Sequence, residues 1–99
     1  MLILPIKKKW FDMILSGEKK EEYREIKPYY DIRFGNIWTS SADWNKIHTI
    51  RFRNGYSENS PSFLADVSLG IGAGITEWGA EPWKKYYVLR IHKVHKEDT

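Results

Sequence analysis

Residues 17–24 of this chain, Gly17-Glu18-Lys19-Lys20-Glu21-Glu22-Tyr23-Arg24, decide how the rest of the sequence is interpreted. Glu, Lys and Arg favour a helix, but Gly17 at the start and Pro28 beyond the end favour a short extended segment. In a strand, Glu22 and Arg24 project from the same face, because side chains alternate with a period of two. A carboxylate beside a guanidinium can form a charge-assisted pair that holds both groups in place. Lys19 falls on the opposite face of an ideal strand, so it joins the pair only if the chain bends near Gly17.

The pattern of this charged segment allows two interpretations. Runs of charged residues are usually solvated, and the pattern alone favours a solvated segment. Alternatively, Lys19, Glu22 and Arg24 meet at one site.

The residues before this segment predict a strand followed by a helix. Leu2 to Ile6 predicts a first strand that Pro5 closes. Residues 7–16 predict a helix that Gly17 is placed to end. Its apolar face is indicated by side chains at helical spacing, namely Trp10, Phe11, Ile14 and Leu15.

The residues after the segment predict mainly strands. Alternating apolar side chains indicate strands over residues 48–54, 63–71 and 87–91. Residues 29–35 resemble one helical turn or an irregular connection, residues 38–46 a loop, and residues 55–61 a turn. Residues 93–99 form a polar tail that is expected to fray. Without a linker or a repeat, residues 1–99 are predicted to be one domain, either a mixed α+β fold or a small barrel.

Composition limits the classes of function. The 99 residues include no cysteine, which excludes disulfides, thiolate catalysis and cysteine-based zinc sites. Sixteen basic and thirteen acidic residues give a net charge of +3, which suits an anionic partner. No stretch approaches the roughly 20 apolar residues of a membrane span, and no signal peptide is recognisable. A soluble, cytoplasmic protein with no membrane partner is therefore expected.

Two further patterns resemble functional motifs but have structural explanations. Gly70, Gly72 and Gly74 alternate, yet they lack both the lysine and the following helix of phosphate-binding loops. They indicate a bend of the barrel, the favoured interpretation, or a close approach of another backbone or a ligand. The three histidines are too scattered for a metal site, so neither a metal nor a cofactor is predicted.

Arginine and tryptophan residues suggest interaction surfaces. Arg51 and Arg53 share one face of a predicted strand near Tyr56, where they could contact phosphates or bases, or could simply face water.

Three tryptophans, Trp38, Trp44 and Trp83, are interpreted as core or loop anchors. The alternative is that they form an aromatic surface that binds another protein. The sequence does not indicate whether Trp78 and Trp83 face a cleft or the core.

The chain resembles the ASCH-domain family, named for activating signal cointegrator homology and grouped with PUA-like domains. The family motif Gly-x-Lys-x-x-Glu-x-Arg is matched at all four positions, Gly17, Lys19, Glu22 and Arg24. Residues 6–16 are similar to the family's entry into the first helix, and residues 77–82 and 86–89 to the C-terminal half of its short members. The resemblance implies a small PUA-like β-barrel with an N-terminal helix packed beside it, and motif residues that line a basic cleft.

The resemblance also implies a function, the binding of single-stranded RNA or a nucleotide-like ligand such as a modified nucleoside. The expected ligand-binding residues are Lys19, Glu22, Arg24, Arg51, Arg53, Lys7, Lys9 and Tyr23. The alternative is a small hydrolase, either a ribonuclease or an amidohydrolase acting on an acylated nucleoside, with Lys19 and Glu22 as catalytic residues. One branch of relatives hydrolyses acetylated cytidine with a threonine where this chain has Glu22, and a carboxylate cannot act as the same hydroxyl nucleophile.

Overall fold

The computed structural model describes residues 1–96. Within them, five strands and two helices are formed, joined by loops that include short 3₁₀ turns at Ser41–Asp43 and Thr76–Trp78. The strands are β1 (Ile3–Pro5), β2 (Glu21–Arg24), β3 (His48–Arg53), β4 (Ser62–Ala73) and β5 (Lys85–His95). The helices are α1 (Lys8–Leu15) and α2 (Pro28–Gly35). The α+β class predicted from the sequence is confirmed.

The strands form one sheet in the order β1-β3-β4-β5-β2, curled into half a barrel. β1 runs parallel to β3, and the other neighbouring pairs are antiparallel. β1 and β2 are therefore the two edges of the sheet. The curl brings them within reach of each other, since Arg24 on β2 donates a hydrogen bond of 2.8 Å to the carbonyl of Pro5 on β1.

The core lies between the concave face of the sheet and the helices. Alternation along β3 buries Ile50 and Phe52, as predicted, because one face of the strand packs inward. α1 packs against this face through Phe11 and Ile14, and α2 through Phe34. The N-terminal helix beside the sheet is therefore confirmed.

Helix α2 is longer than the single turn or irregular connection predicted from the sequence. Pro28 stands at its first turn, where the fixed φ of proline suits a helix and the missing N–H costs nothing. Asp31 in the first turn is favourable against the positive end of the helix dipole. Phe34 then packs edge-on against Tyr87, with ring centroids 5.0 Å apart. This tertiary contact explains why a helix with one buried residue forms.

Strand β5 continues to His95, so the prediction of a polar tail starting at Lys93 is wrong by three residues. The pairing with β4 passes a bulge at His92 and resumes with Lys93 opposite Asp66. His95 then bonds the Asp66 carboxylate at 3.0 Å, which fixes the end of the strand. Residues 97–99 of the predicted tail lie outside the described residues.

The tryptophans do not form a common aromatic surface. Trp38 is fully buried and Trp44 packs against the core, which confirms them as anchors. Trp83 alone of the three is exposed, so its interpretation as an anchor is wrong. Neither helix in residues 1–96 has the length and apolar character needed to cross a membrane.

Candidate ligand-binding cleft

A cleft of about 690 Å³ opens where the two edges of the curled sheet approach each other. Its walls come from the β1–α1 turn, from β2 and the segment leading into α2, from the β3–β4 loop, and from the chain between Trp78 and Tyr86. Pockets of this volume are typical of small-molecule sites.

Lys19 reaches this cleft because the chain bends at Gly17. The φ of Gly17 is +86°, in the left-handed region that glycine adopts without strain. The backbone N–H of Lys19 then donates to the carbonyl of Met13 at 2.9 Å, which places Lys19 just before β2 rather than within it. The bend required by the sequence pattern is therefore present.

The Lys19 ammonium is enclosed, and the residue is only 2% exposed. Its Nζ lies 3.1 Å from Oε1 of Glu22 and donates a hydrogen bond to the carbonyl of Trp78. The same Nζ lies 4.4 Å from the ring centroid of Trp10 and 5.2 Å from that of Tyr23. A carboxylate, a carbonyl and two aromatic faces thus replace the water that a lysine normally binds.

Arg24 holds the other oxygen of the Glu22 carboxylate. Its Nη2 and Nε donate to Oε2 of Glu22 at 2.7 and 3.2 Å. The guanidinium also donates to the Pro5 carbonyl at 2.8 Å and to the Tyr30 hydroxyl at 3.1 Å. Lys19, Glu22 and Arg24 therefore meet at one site, and the solvated interpretation of the charged segment is wrong.

Burial and charge act differently on the two cations. Burial lowers the pKa of Lys19, and the attraction of Glu22 offsets part of that effect. Burial also acts to lower the pKa of Arg24, but Glu22 and the Tyr30 hydroxyl outweigh it, so the pKa lies above its ordinary value. Arg24 is thus a permanent cation, whereas Lys19 releases its proton more readily than a lysine in water.

Tyr23 is fixed in the wall of the cleft. Its hydroxyl donates to Glu21 at 2.8 Å and accepts from the backbone N–H of Ile75 at 2.9 Å. Burial raises the pKa of the Tyr23 phenol, which stays protonated as a donor. A Cβ at Gly74 would lie 2.7 Å from the Tyr23 ring and 2.6 Å from Cβ of Ala80. The last glycine of the alternating series therefore allows a close approach of side chains, whereas the sequence pattern favoured a bend.

The remaining lining combines aromatic and charged side chains. The aromatic residues of the lining, within residues 1–96, are Trp10, Tyr23, Tyr30, Tyr56, Trp78 and Tyr86. Lys7, Lys27 and Lys84 add positive charge, and Lys84 lies 3.6 Å from Glu25 and 3.7 Å from Glu81. Flat apolar surfaces thus lie beside cations.

Five of the eight predicted ligand-binding residues line the cleft, namely Lys7, Lys19, Glu22, Tyr23 and Arg24. Arg51, Arg53 and Lys9 lie outside its lining. Arg51 donates to the Ser62 hydroxyl at 2.7 Å. Nε of Arg53 is buried without a hydrogen-bond partner in the part of the chain that the structure describes. Lys9 Nζ lies 4.7 Å from the Trp10 ring centroid.

Several lining residues were not predicted from the sequence. The helical spacing of Trp10 places it on the apolar face of α1. No local pattern at Tyr30 or Tyr86 distinguishes a residue of the cleft wall from a core residue. The position of Trp78 was an open question, and the structure places it in the lining. Trp83 faces neither the cleft nor the core.

No family model, curated protein or solved structure matches this chain. The function of the cleft is therefore inferred from its own residues.

Proposed function

We propose that this chain is an ASCH-type, PUA-like domain that binds one nucleotide of single-stranded RNA, or a modified nucleoside, in the cleft. The observation that carries the proposal is the buried Lys19–Glu22–Arg24 network beneath an aromatic lining. The residues of this network are also the ones that match the family motif.

The lining suits a nucleobase. Proteins bind unpaired bases by stacking them on aromatic faces and by bonding their edges with polar groups. Tyr56 and Trp78, which line the cleft, are the rings proposed to supply such faces. The Trp10 ring is less available, because the Nζ atoms of Lys19 and Lys9 lie 4.4 and 4.7 Å from its centroid. Arg24 keeps 13% of its side chain accessible, so part of its donor fork can reach a ligand oxygen or nitrogen.

The rim suits a phosphate. Lys7 and Lys27 bring positive charge to the mouth of the cleft, where a phosphate attached to the bound nucleoside would lie. Contacts of this kind orient a nucleic acid without selecting a sequence. Base and backbone would therefore be recognised by different parts of the cleft.

Binding is tested by titrating a labelled single-stranded RNA of mixed sequence against the protein at low salt. Tyr56→Ala is the preferred variant, because Tyr56 lines the cleft yet is 89% exposed, so its loss leaves the core intact. We expect the affinity to fall on the order of tenfold, as stacking losses commonly do. Ile47→Ala is the control, since Ile47 is exposed at the opposite end of β3 from the cleft. Failure of the native protein to bind RNA or any nucleoside would refute the proposal.

A second candidate function is hydrolysis, favoured by the buried Lys19–Glu22 pair, whose Nζ and Oε1 atoms lie 3.1 Å apart. Burial lowers the pKa of Lys19, and a neutral amine can accept a proton from a ribose 2′-hydroxyl or from an attacking water. Against this, Glu22 is held by two cations and the Lys19 side chain is 1% accessible. Binding therefore stands first.

Hydrolysis is tested on the same mixtures by denaturing gel electrophoresis, and separately by chromatography of an N-acylated cytidine. Product that appears with the native protein and disappears in both Lys19→Met and Glu22→Gln would move hydrolysis to first place. Intact substrate, or product that survives both substitutions, would exclude these residues as catalytic.

A further inference from the structure

Trp83 is the most exposed large apolar residue in the part of the chain that the structure describes. Its relative accessibility is 102%, so the indole has no packing role in the fold. Single exposed apolar residues are common on protein surfaces, but an indole without packing contacts offers its whole aromatic face to a ligand. Packing therefore does not account for a tryptophan at this position.

The backbone of Trp83 is also strained. Its φ is +65°, and no other non-glycine residue within residues 1–96 has a positive φ. Pro82 followed by a residue of positive φ is typical of a type II turn, in which this second position favours Gly or Asn. A bulky residue in such a conformation costs of order 1–3 kcal/mol and is often found at functional sites.

The surrounding chain holds the turn in place. The backbone N–H of Glu81 donates to the Tyr86 hydroxyl at 2.9 Å, and the N–H of Ala80 donates to the Ile75 carbonyl at 3.3 Å. After the turn, Lys84 lies 3.6 Å from Glu25. The direction of Trp83 is thus set by its neighbours rather than by contacts of its own ring.

Trp83 stands beside the cleft. Glu81 and Lys84, two residues before it and one after it, both line the cleft, whereas Trp83 does not. Adjacent Cα atoms are about 3.8 Å apart, so the Cα of Trp83 lies about this distance from the Cα of Lys84, which lines the cleft. A strand that leaves the cleft past Lys84 would therefore pass the next residue of the turn, Trp83.

We propose that Trp83 stacks on the base next to the one held in the cleft, so that the ligand is a single strand of two or more nucleotides rather than a free nucleoside. This inference rests on the proposed function. A lone aromatic face beside a lysine suits a base, because stacking needs only a flat surface and a nearby cation. Protein-binding hot spots instead lie within packed patches of the surface. Trp83 has charged residues near it in the chain, with Lys84 directly after it and Glu81 two residues before it.

The test compares two ligand sizes and two variants. A labelled single-stranded RNA hexamer is titrated by fluorescence anisotropy, and the four nucleoside 5′-monophosphates by calorimetry. Trp83→Asn removes the indole while asparagine tolerates the positive φ, so we expect a Tm equal to or above that of the native protein. Ile47→Asn makes the matched change of an exposed apolar residue at the far end of β3.

We expect the native protein to bind the hexamer more tightly than any monophosphate. Trp83→Asn should weaken hexamer binding on the order of tenfold and leave monophosphate binding unchanged, while Ile47→Asn alters neither. Equal hexamer affinities for native protein and Trp83→Asn would overturn the inference and leave the proposed function standing. Absence of all binding by the native protein would overturn both. A lower Tm for Trp83→Asn, or a native dimer that this variant abolishes, would assign Trp83 to stability or to self-association instead.

Discussion

At the residue scale, the position of Lys19 links stability to protonation. The unfolded chain keeps this proton up to about pH 10.5, the ordinary value, whereas burial lowers the pKa of Lys19 in the folded protein. Between the two pKa values the unfolded state binds more protons than the folded state. The free energy of unfolding contributed by this group therefore rises with pH across that interval.

Comparison with Lys19→Met isolates this effect. We expect the stability of the native protein relative to Lys19→Met to increase as the pH rises towards 10.5, because only the native protein has the titrating amine. Urea unfolding of both proteins at several pH values measures the difference, in which most contributions from other groups cancel. A difference that is constant with pH, or that decreases, would contradict the lowered pKa of the buried Lys19.

Arg24 makes contacts that lysine cannot reproduce. One guanidinium bonds Glu22, the Pro5 carbonyl and the Tyr30 hydroxyl. Arg24→Lys keeps the charge but loses most of this fork, so we expect a loss of about 2 kcal/mol in the free energy of unfolding. Arg90→Lys, at an exposed position of β5, should change stability by less than about 0.5 kcal/mol. Equal effects in urea titrations would show that the fork does not stabilise the fold.

The residue types of the site could be read from the sequence, but their environment could not. Alternation along a strand placed Glu22 and Arg24 on one face, and this pairing is confirmed. Lys19 lay on the wrong face of an ideal strand, and only the φ of Gly17 brings it to Glu22. The charge pattern alone favoured a solvated segment. Lys19 is buried against the carbonyl of Trp78, which lies 59 residues further along the chain, and no local pattern indicates that contact.

At the element scale, the end of β4 is shaped by the absence of side chains. A Cβ at Gly74 would overlap the Tyr23 ring and Ala80, whereas a Cβ at Gly72 meets nothing within 4 Å. We expect Gly74→Ala to lower the free energy of unfolding by about 1–3 kcal/mol, since the neighbours must shift. Gly72→Ala should be neutral or slightly stabilising, because alanine reduces the freedom of the unfolded chain.

Thermal unfolding of the two variants separates their effects, and ligand binding provides a second measurement. Displacement of Tyr23 should also weaken binding in Gly74→Ala, because Tyr23 lines the cleft. Two variants with the same Tm and the same affinity would show that the close approach at Gly74 has no structural consequence.

The predicted elements with clear helical or strand periodicity are confirmed. The two errors, in α2 and at the end of β5, both arise from contacts between residues that are distant in sequence. β3 and α1 follow from alternation and helical spacing. α2 was underestimated because its helix depends on the packing of Phe34 against Tyr87, a contact between distant parts of the chain. The end of β5 was misplaced because polar residues there pair with β4 through the contact between Asp66 and His95.

At the scale of the whole molecule, a net charge of +3 is small, so attraction of the proposed RNA ligand would depend on where the charges are placed. Lys7, Lys27 and Lys84 line the cleft. If these three meet phosphates, the logarithm of the RNA affinity should fall with the logarithm of salt concentration with a slope of about −2. Lys7→Gln should reduce that slope by about 0.7 in magnitude.

Lys8→Gln is the matched control for this prediction. Lys8 is the next residue in the chain, pairs with Asp12 at 2.6 Å and does not line the cleft. Its removal should leave the slope unchanged. A salt-independent affinity, or equal effects of the two substitutions, would show that the cleft does not bind phosphate groups.

The cleft as a whole could not be predicted from the patterns in the sequence alone. Its lining comes from segments between residues 5 and 86 that meet only through the sheet order. Nothing local distinguishes Trp10, which faces the cleft, from Phe11, which faces the core.

The strand order also determines when the site can exist during synthesis. Both edge strands, β1 and β2, lie within the first 24 residues, whereas the strands that separate them end at His95. Because a chain leaves the ribosome N-terminus first, β2 must wait for its partner β5. A chain stalled before Lys85 would therefore carry the complete Gly17–Arg24 motif and still have no cleft, so binding of the proposed ligand would begin only after translation has passed the last strand.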